Sequence, residues 1–139
     1  MRVLGLDVGE RRIGVAVSDA LGITAQRLTV VERREHLSQD VEAMATLVKT
    51  NQVDAVVVGL PVTMQGSVGE QAKRVMTFVE ALRETLRCPV ELLDERLTTV
   101  QGERSLLETD TSRKKRKRLI DQVAAQLILQ AYLDATAKR

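Results

Sequence analysis

An α/β fold is what these 139 residues predict: a five-stranded mixed sheet, its first three strands antiparallel and the rest parallel, flanked by helices. Three observations carry that prediction. Two apolar runs at the start are joined by a short charged turn. The segments that follow alternate between helical and strand spacing. One of them, Val53-Asp54-Ala55-Val56-Val57-Val58-Gly59, has no polar face, the mark of a strand covered on both sides. Strands joined by hairpins and followed by helix-strand units give a sheet with a parallel half, and right-handed crossovers put the fourth and fifth strands beside the first.

In order along the chain, the first hairpin spans Val3 to Asp19, with both strands largely buried. Asp7 stands in it where a core residue belongs. An ionised carboxylate there is costly unless it is paired or bound to a metal, the alternative being a turn aspartate that bonds local amides. Gly5, Gly9 and Gly14 lack a Cβ, which lets another backbone, a metal or a phosphate come close. Thr24 to Val31 alternates as a third strand, and Leu37 to Val48 carries Leu37, Val41, Met44, Ala45, Leu47 and Val48 at helical spacing. After the fourth strand, Ser67 and Glu70 are spaced as a capping box for a helix that runs to about Arg87 and buries Val75, Phe78, Val79 and Leu82. Pro89 to Leu93 reads as the fifth strand. Thr98 and Gln101 can cap the next helix, and a last long helix occupies Lys115 to Ala137.

Length and an apolar content of 44% suit one domain over residues 1–139. Phe78 and Tyr132 are the only aromatics, so the core is expected to be aliphatic. Nor is there an aromatic platform for stacking bases, which argues against a binding module of the oligonucleotide-barrel or aromatic-sheet type. Cys88 is the single cysteine and cannot form an internal disulfide; Asp7 interrupts the first apolar run and with it any signal-peptide pattern; no uncharged stretch is long enough to span a bilayer. A cytoplasmic protein with no membrane segment is expected. Net charge is only +2, yet six of the 21 basic residues form one run, Arg113-Lys114-Lys115-Arg116-Lys117-Arg118. Such a run is either a solvated face or a polyanion site.

Ligands gather at the carboxyl ends of parallel strands. Asp7 ends the first strand, and Asp94-Glu95 end the fifth. Asp121, on the last helix, shares its face with Ala124, Ala125 and Ile128, mostly small side chains that let the helix approach the sheet and carry the acid inward. The competing reading makes Asp121 a surface acid balancing the basic run. Three convergent carboxylates without nearby Cys or His suit Mg²⁺ or Mn²⁺ and not zinc; His36, the only histidine, reads as a solvated bystander. There is no Ser/His/Asp set, no phosphate-binding loop and no dinucleotide fingerprint. Acids for metals and a basic run for polyanions indicate metal-assisted phosphodiester hydrolysis.

Five segments, in order and spanning nearly the whole chain, closely resemble the bacterial YqgF/RuvX family. They are Leu6-Asp7-Val8-Gly9, Arg12-Ile13-Gly14-Val15-Ala16-Val17-Ser18-Asp19, Gly59-Leu60-Pro61 with Gly66-Ser67, Asp94-Glu95-Arg96-Leu97-Thr98-Thr99, and Asp121-Gln122-Val123-Ala124-Ala125-Gln126-Leu127-Ile128-Leu129-Gln130. The resemblance implies a ribonuclease H-like fold related to Holliday-junction resolvases, and a role as the nuclease that matures the 5′ end of pre-16S ribosomal RNA. Carried over by motif, the catalytic acids and metal ligands are Asp7, Glu95 and Asp121, holding a two-ion Mg²⁺ or Mn²⁺ site bridged by Asp7. Many ribonuclease H relatives place an acid at the end of the fourth strand, whereas here that strand ends in Gly59-Leu60-Pro61. The second acid must then come from the fifth strand; the family motif selects Glu95, leaving Asp94 to bond Arg96 or a helix end.

Arg11, Arg12 and Arg96 lie beside these acids in sequence and are candidates for nucleic-acid phosphates, as are Lys114, Lys115, Arg116 and Lys117 in the basic run. Ser67 is a candidate anion site at a helix start. The expected partner is precursor ribosomal RNA. Branched DNA is the alternative, and a two-fold-symmetric junction would favour a homodimer. Two rivals of other classes are an ATPase or phosphotransferase of the actin and sugar-kinase type, which needs two domains to close over its nucleotide, and a non-catalytic nucleic-acid-binding protein, against which the three retained acids argue.

Overall fold

The computed structural model describes residues 1–63, 66–100, 103 and 113–137, with side chains described from Arg116 onward in the last stretch. β1 (Val3–Val8), β2 (Arg12–Ser18) and β3 (Ala25–Glu32) run antiparallel. Helix α1 (Leu37–Thr50) leads to β4 (Ala55–Leu60), and α2 (Glu70–Thr85) leads to β5 (Val90–Asp94). A 3-10 turn covers Glu95–Leu97, and α3 occupies Arg113–Ala137. The strands lie in the order β3-β2-β1-β4-β5, with β1, β4 and β5 mutually parallel, which is the mixed sheet expected from the sequence.

Alternation along the strands sorts their side chains into two cores. Leu4, Leu6, Val8, Ile13, Val15, Val56 and Val58 face α1 and α2, where they meet Met44, Val75, Phe78, Val79 and Leu82. Each of these large side chains contributes on the order of 1.5–3 kcal/mol by leaving water. Val3, Ala16, Ala25, Ala55 and Val57 face the other way and are covered by Ala124, Ala125, Ile128, Leu129 and Leu133 of α3. The second face is built from small residues, and one helix lies close enough to cover it.

Closest of all is Gly14, where an added Cβ would run into the main-chain carbonyl of Asp121. Gly14 is also the cross-strand partner of Asp7. The helix is therefore seated on the sheet beside the acid that ends the first strand. Two glutamines fix its register: Gln130 Oε1 accepts from the Ala25 amide at 2.9 Å, and Gln126 Nε2 donates to the Ala25 carbonyl at 3.1 Å.

Three expectations need correction. Ser67 and Glu70 form no capping box: α2 starts at Glu70 with Gly69 as its N-cap. Thr63 takes Ser67 instead, the two hydroxyls lying 2.6 Å apart and the Ser67 amide donating to Thr63 Oγ1 at 3.1 Å. The fifth strand is displaced by one residue, because Pro89 has no amide to add to the ladder and contributes only its carbonyl, to Val56 at 2.9 Å. At its other end the strand stops at Asp94, which caps a 3-10 turn, so Glu95 opens that turn and does not end a strand. The expected cap at Thr98 is a local bond, Val100 N to Thr98 Oγ1 at 3.3 Å, while Gln101 lies outside the described residues. Among the described residues no helix is long and apolar enough to cross a membrane.

The seat at Gly14 is testable. A methyl there meets main chain, which cannot rotate away, so Gly14→Ala should cost about 1–3 kcal/mol of stability in urea denaturation followed by circular dichroism. An unchanged midpoint would mean that α3 can lift from the sheet without loss.

Candidate active site

The turn that follows Asp7 is tied down from three sides. Gly9 N donates to Arg12 O at 2.9 Å across the turn, Gln71 Nε2 from α2 donates to Val8 O at 3.1 Å, and Arg33 Nη1 donates to Gly9 O at 3.0 Å. Arg33 is itself held by Asp40, Nε to Oδ2 at 3.0 Å, and its guanidinium lies over the Phe78 ring. Asp40 also accepts from the Arg34 amide at 2.8 Å, so this acid, 1% exposed, is a structural counter-charge and not part of a reactive cluster. Sequence reasoning missed this brace. Its signal was present: Asp40 sits three residues after Leu37 and four before Met44, an acid on the apolar face of α1.

Asp7, from β1, is 6% exposed, and Glu95, from the 3-10 turn, is 5% exposed. Together with Asp121 of α3 they line one cleft of about 310 Å³, shared with Val8, Gly9, Pro61 and Gln71, at the carboxyl ends of β1, β4 and β5. The turn decides which acid of Asp94-Glu95 enters it. Asp94 caps the turn by accepting from the Arg96 amide at 2.9 Å and faces outward, so the next residue is carried in. Room for it comes from Gly59 on β4, where a Cβ would lie 3.2 Å from Glu95 Cγ and 2.5 Å from Ile128 Cδ1. The position at which many ribonuclease H relatives have an acid is thus filled from the neighbouring strand's end.

Asp121 Oδ2 accepts from Arg12 Nε at 2.7 Å. The cleft's acids are all hard oxygen donors, and neither His36, at the start of α1, nor Cys88, whose thiol is pushed up by burial, lies among them. That donor chemistry fits Mg²⁺ or Mn²⁺. As the side chains stand, no three acids among the described residues are gathered to hold an ion, and Asp121 is directed to Arg12.

A profile of the RuvX family, described as Holliday junction resolvase, matches residues 1–135. The chain belongs to the RuvX family. A relative from Clostridium novyi (strain NT), provisionally named pre-16S rRNA nuclease, is 50% identical over 135 residues, which is 97% of this chain and 99% of the relative. Another, from Caldanaerobacter subterraneus subsp. tengcongensis and named alike, is 54% identical over 136 residues and covers 97% of each chain. Among solved structures, Thermus thermophilus RuvC in complex with a Holliday junction substrate matches with a TM-score of 0.62 at 15% identity, covering 98% of this chain and 96% of that one. The sheet order and this match give the ribonuclease H-like fold that the family resemblance implied.

Among the described residues, none of the remaining candidates of this RuvX chain lines the cleft. Arg11 is exposed at the tip of the β1–β2 turn. Arg96 is stiffened by Asp94, with Nη2 to Oδ2 at 2.6 Å and Nε about equally close to both oxygens, at 3.0 and 3.1 Å. Ser67 lies in the loop before α2, three residues short of the helix, and so is not at its N-terminus. Arg116 is half-buried and Lys117 exposed near the start of α3, while the side chains of Lys114 and Lys115 lie outside the described residues. Pro61 and Gln71, which share the cleft, escaped the sequence reading because nothing in their spacing marks them as chemical.

The Arg96 hydrogen bonds hold the Asp94 carboxyl below the ordinary aspartate range. Because the group titrates lower folded than unfolded, the pair's contribution is full above the unfolded value and fades as pH falls through the folded one. Both partners are solvent-accessible, so the effect on global stability is small. Carbon-detected NMR titration should show the Asp94 carboxyl moving upward in Arg96→Ala; an unmoved midpoint would assign the low value to another cause.

Proposed function

We propose that this protein is a metal-dependent nuclease that matures the 5′ end of pre-16S ribosomal RNA in the cytoplasm. The observation that carries the reading is that Asp7, Glu95 and Asp121, from three separate elements, line one cleft at the carboxyl end of the parallel strands. Asp7, Glu95 and Asp121 would hold Mg²⁺ or Mn²⁺, which supplies charge neutralisation at the scissile phosphate and acidifies a water for attack. The chain's own part is positioning. Asp7 is fixed by the braced turn, Glu95 by the cap at Asp94, and Asp121 by the seat of α3 on Gly14.

Phosphate contacts outside the cleft fall to Arg11 and Arg96 on its rim and to the basic start of α3. The first turn of that helix contains no acid, and cations there are disfavoured by the positive end of the dipole. A nucleic-acid backbone relieves that repulsion. The choice of ribosomal RNA rests on the names of relatives about half identical to this chain along nearly its whole length. The family's description favours a second reading, a junction resolvase acting on branched DNA.

Cleavage of matched single-stranded RNA, duplex DNA and four-way junctions in Mg²⁺ and Mn²⁺ separates the two. Asp7→Asn and Glu95→Gln should each slow cleavage about a hundredfold or more with the protein still folded, the scale on which losing one charge-stabilising group slows other enzymes. Asp94→Asn should be milder. Undiminished turnover of Asp7→Asn at saturating metal would sink the assignment. In the host, depletion should accumulate small-subunit RNA with an unprocessed 5′ extension, cleared by the wild type but not by Asp7→Asn. Normal 5′ ends together with symmetric junction cutting would favour the resolvase.

The basic run has its own test. Replacing Lys114, Lys115 and Lys117 by Ser should flatten the salt dependence of binding by about 0.7–0.9 log units per lost phosphate contact. Cleavage at saturating substrate should persist, and an unchanged slope would make the run a solvated face.

A further inference from the structure

Asp121 is claimed from two directions. Its carboxylate lines the cleft with Asp7 and Glu95, and the same carboxylate is bonded by Arg12, the first residue of β2, at 2.7 Å. Both side chains are about four-fifths shielded, 21% and 18% exposed, so the pair is stronger and less screened by salt than an open surface bridge. The Asp121 main chain beneath it rests on Gly14. A change of partner can therefore come from rotation of side chains on a seated backbone.

A guanidinium and a divalent cation repel one another at ligand distance, so both are not held by one carboxylate without loss. The cross-strand neighbour of Arg12, Glu32, lies 3.7 Å from Arg118, and Glu10, two residues before Arg12, is bonded to Arg74 at 2.6 Å. A released guanidinium suits a phosphate of the substrate, which it can bind through two parallel N–H donors.

We propose that Arg12 is an exchangeable counter-cation: it neutralises Asp121 while no ion is bound, yields that carboxylate to a divalent cation, and passes to a substrate phosphate. Ion loading and nucleic-acid binding are thereby coupled through one side chain. The inference rests on the metal reading of the cleft given above.

Mn²⁺ binding, read from the electron-spin-resonance signal of the free ion, tests it without reference to activity. With the competitor removed, Arg12→Gln should bind Mn²⁺ about threefold to tenfold more tightly than wild type, with Arg12→Lys between them. In EDTA, Arg12→Gln should melt lower than wild type, and saturating Mn²⁺ should close that gap. A short phosphorothioate RNA should tighten Mn²⁺ binding in wild type, and by linkage Mn²⁺ should tighten RNA binding by the same factor, with the factor reduced in Arg12→Gln.

Equal or weaker Mn²⁺ binding by folded Arg12→Gln overturns the proposal, as does a coupling factor that the substitution leaves unchanged. If Arg12→Gln fails to fold, Arg12→Lys decides by the same two measurements. Absence of Mn²⁺ uptake by the wild type would instead overturn the metal reading itself, and the exchange with it.

Discussion

The main chain of α3 rests on β2 at Gly14, and the geometry of the cleft depends on that contact. A helix packed through ordinary side chains would stand off the sheet by the usual 8–10 Å of packed elements, and an aspartate on it would end short of the strand tips. Small residues across β1, β2 and β4 remove that separation, and the two glutamines bound to Ala25 stop the helix from sliding along the sheet. The apolar gain comes from Ile128, Leu129 and Leu133, all within 3% of full burial, about two to three turns beyond the acid. Packing energy and acid placement are supplied by different turns of the same helix.

A second constraint acts on the sheet side. Asp7 is a carboxylate in a strand whose every residue is buried, and such a residue is a liability unless its backbone is held where the charge is wanted. The brace from Arg33 and Gln71 does this by bonding the carbonyls of Val8 and Gly9, with the cost of burying Arg33 met by Asp40 and the Phe78 ring. Two buried acids thus serve opposite ends. Asp40 neutralises a structural cation, and Asp7 lines the cleft.

How much of this was legible in the sequence varies with the kind of interaction. Strand order and layer assignment were readable because period-two and period-3.6 patterns are local and strong in an aliphatic chain; β4, with no polar face, is the clearest case. The approach of α3 was readable from Ala124, Ala125 and Ile128 beside Asp121. What was not readable depended on pairs far apart in the chain: Arg12 with Asp121, Arg33 with the Gly9 carbonyl, Gln71 with Val8. The Ser67 cap misled for a local reason, since a hydroxyl four residues upstream at Thr63 competed for the same group. The family motif selected Glu95 over Asp94, and the 3-10 turn supplies the physical reason, since it gives each residue a different side of the backbone.

The order in which the parts of the cleft are synthesised has a consequence in time. Strands β1 to β5 and the turn bearing Glu95 precede α3 along the chain, and a domain emerging from the ribosome organises its leading segments first. Two of the three carboxylates precede the third in the chain, and the third lies on a helix whose contacts with β1 and β2 close loops of more than a hundred residues, a slow kind of contact to form. Assembly of the cleft is consequently a late event in the folding of each new molecule. The finished cleft belongs to a chain whose α3 has docked on the sheet.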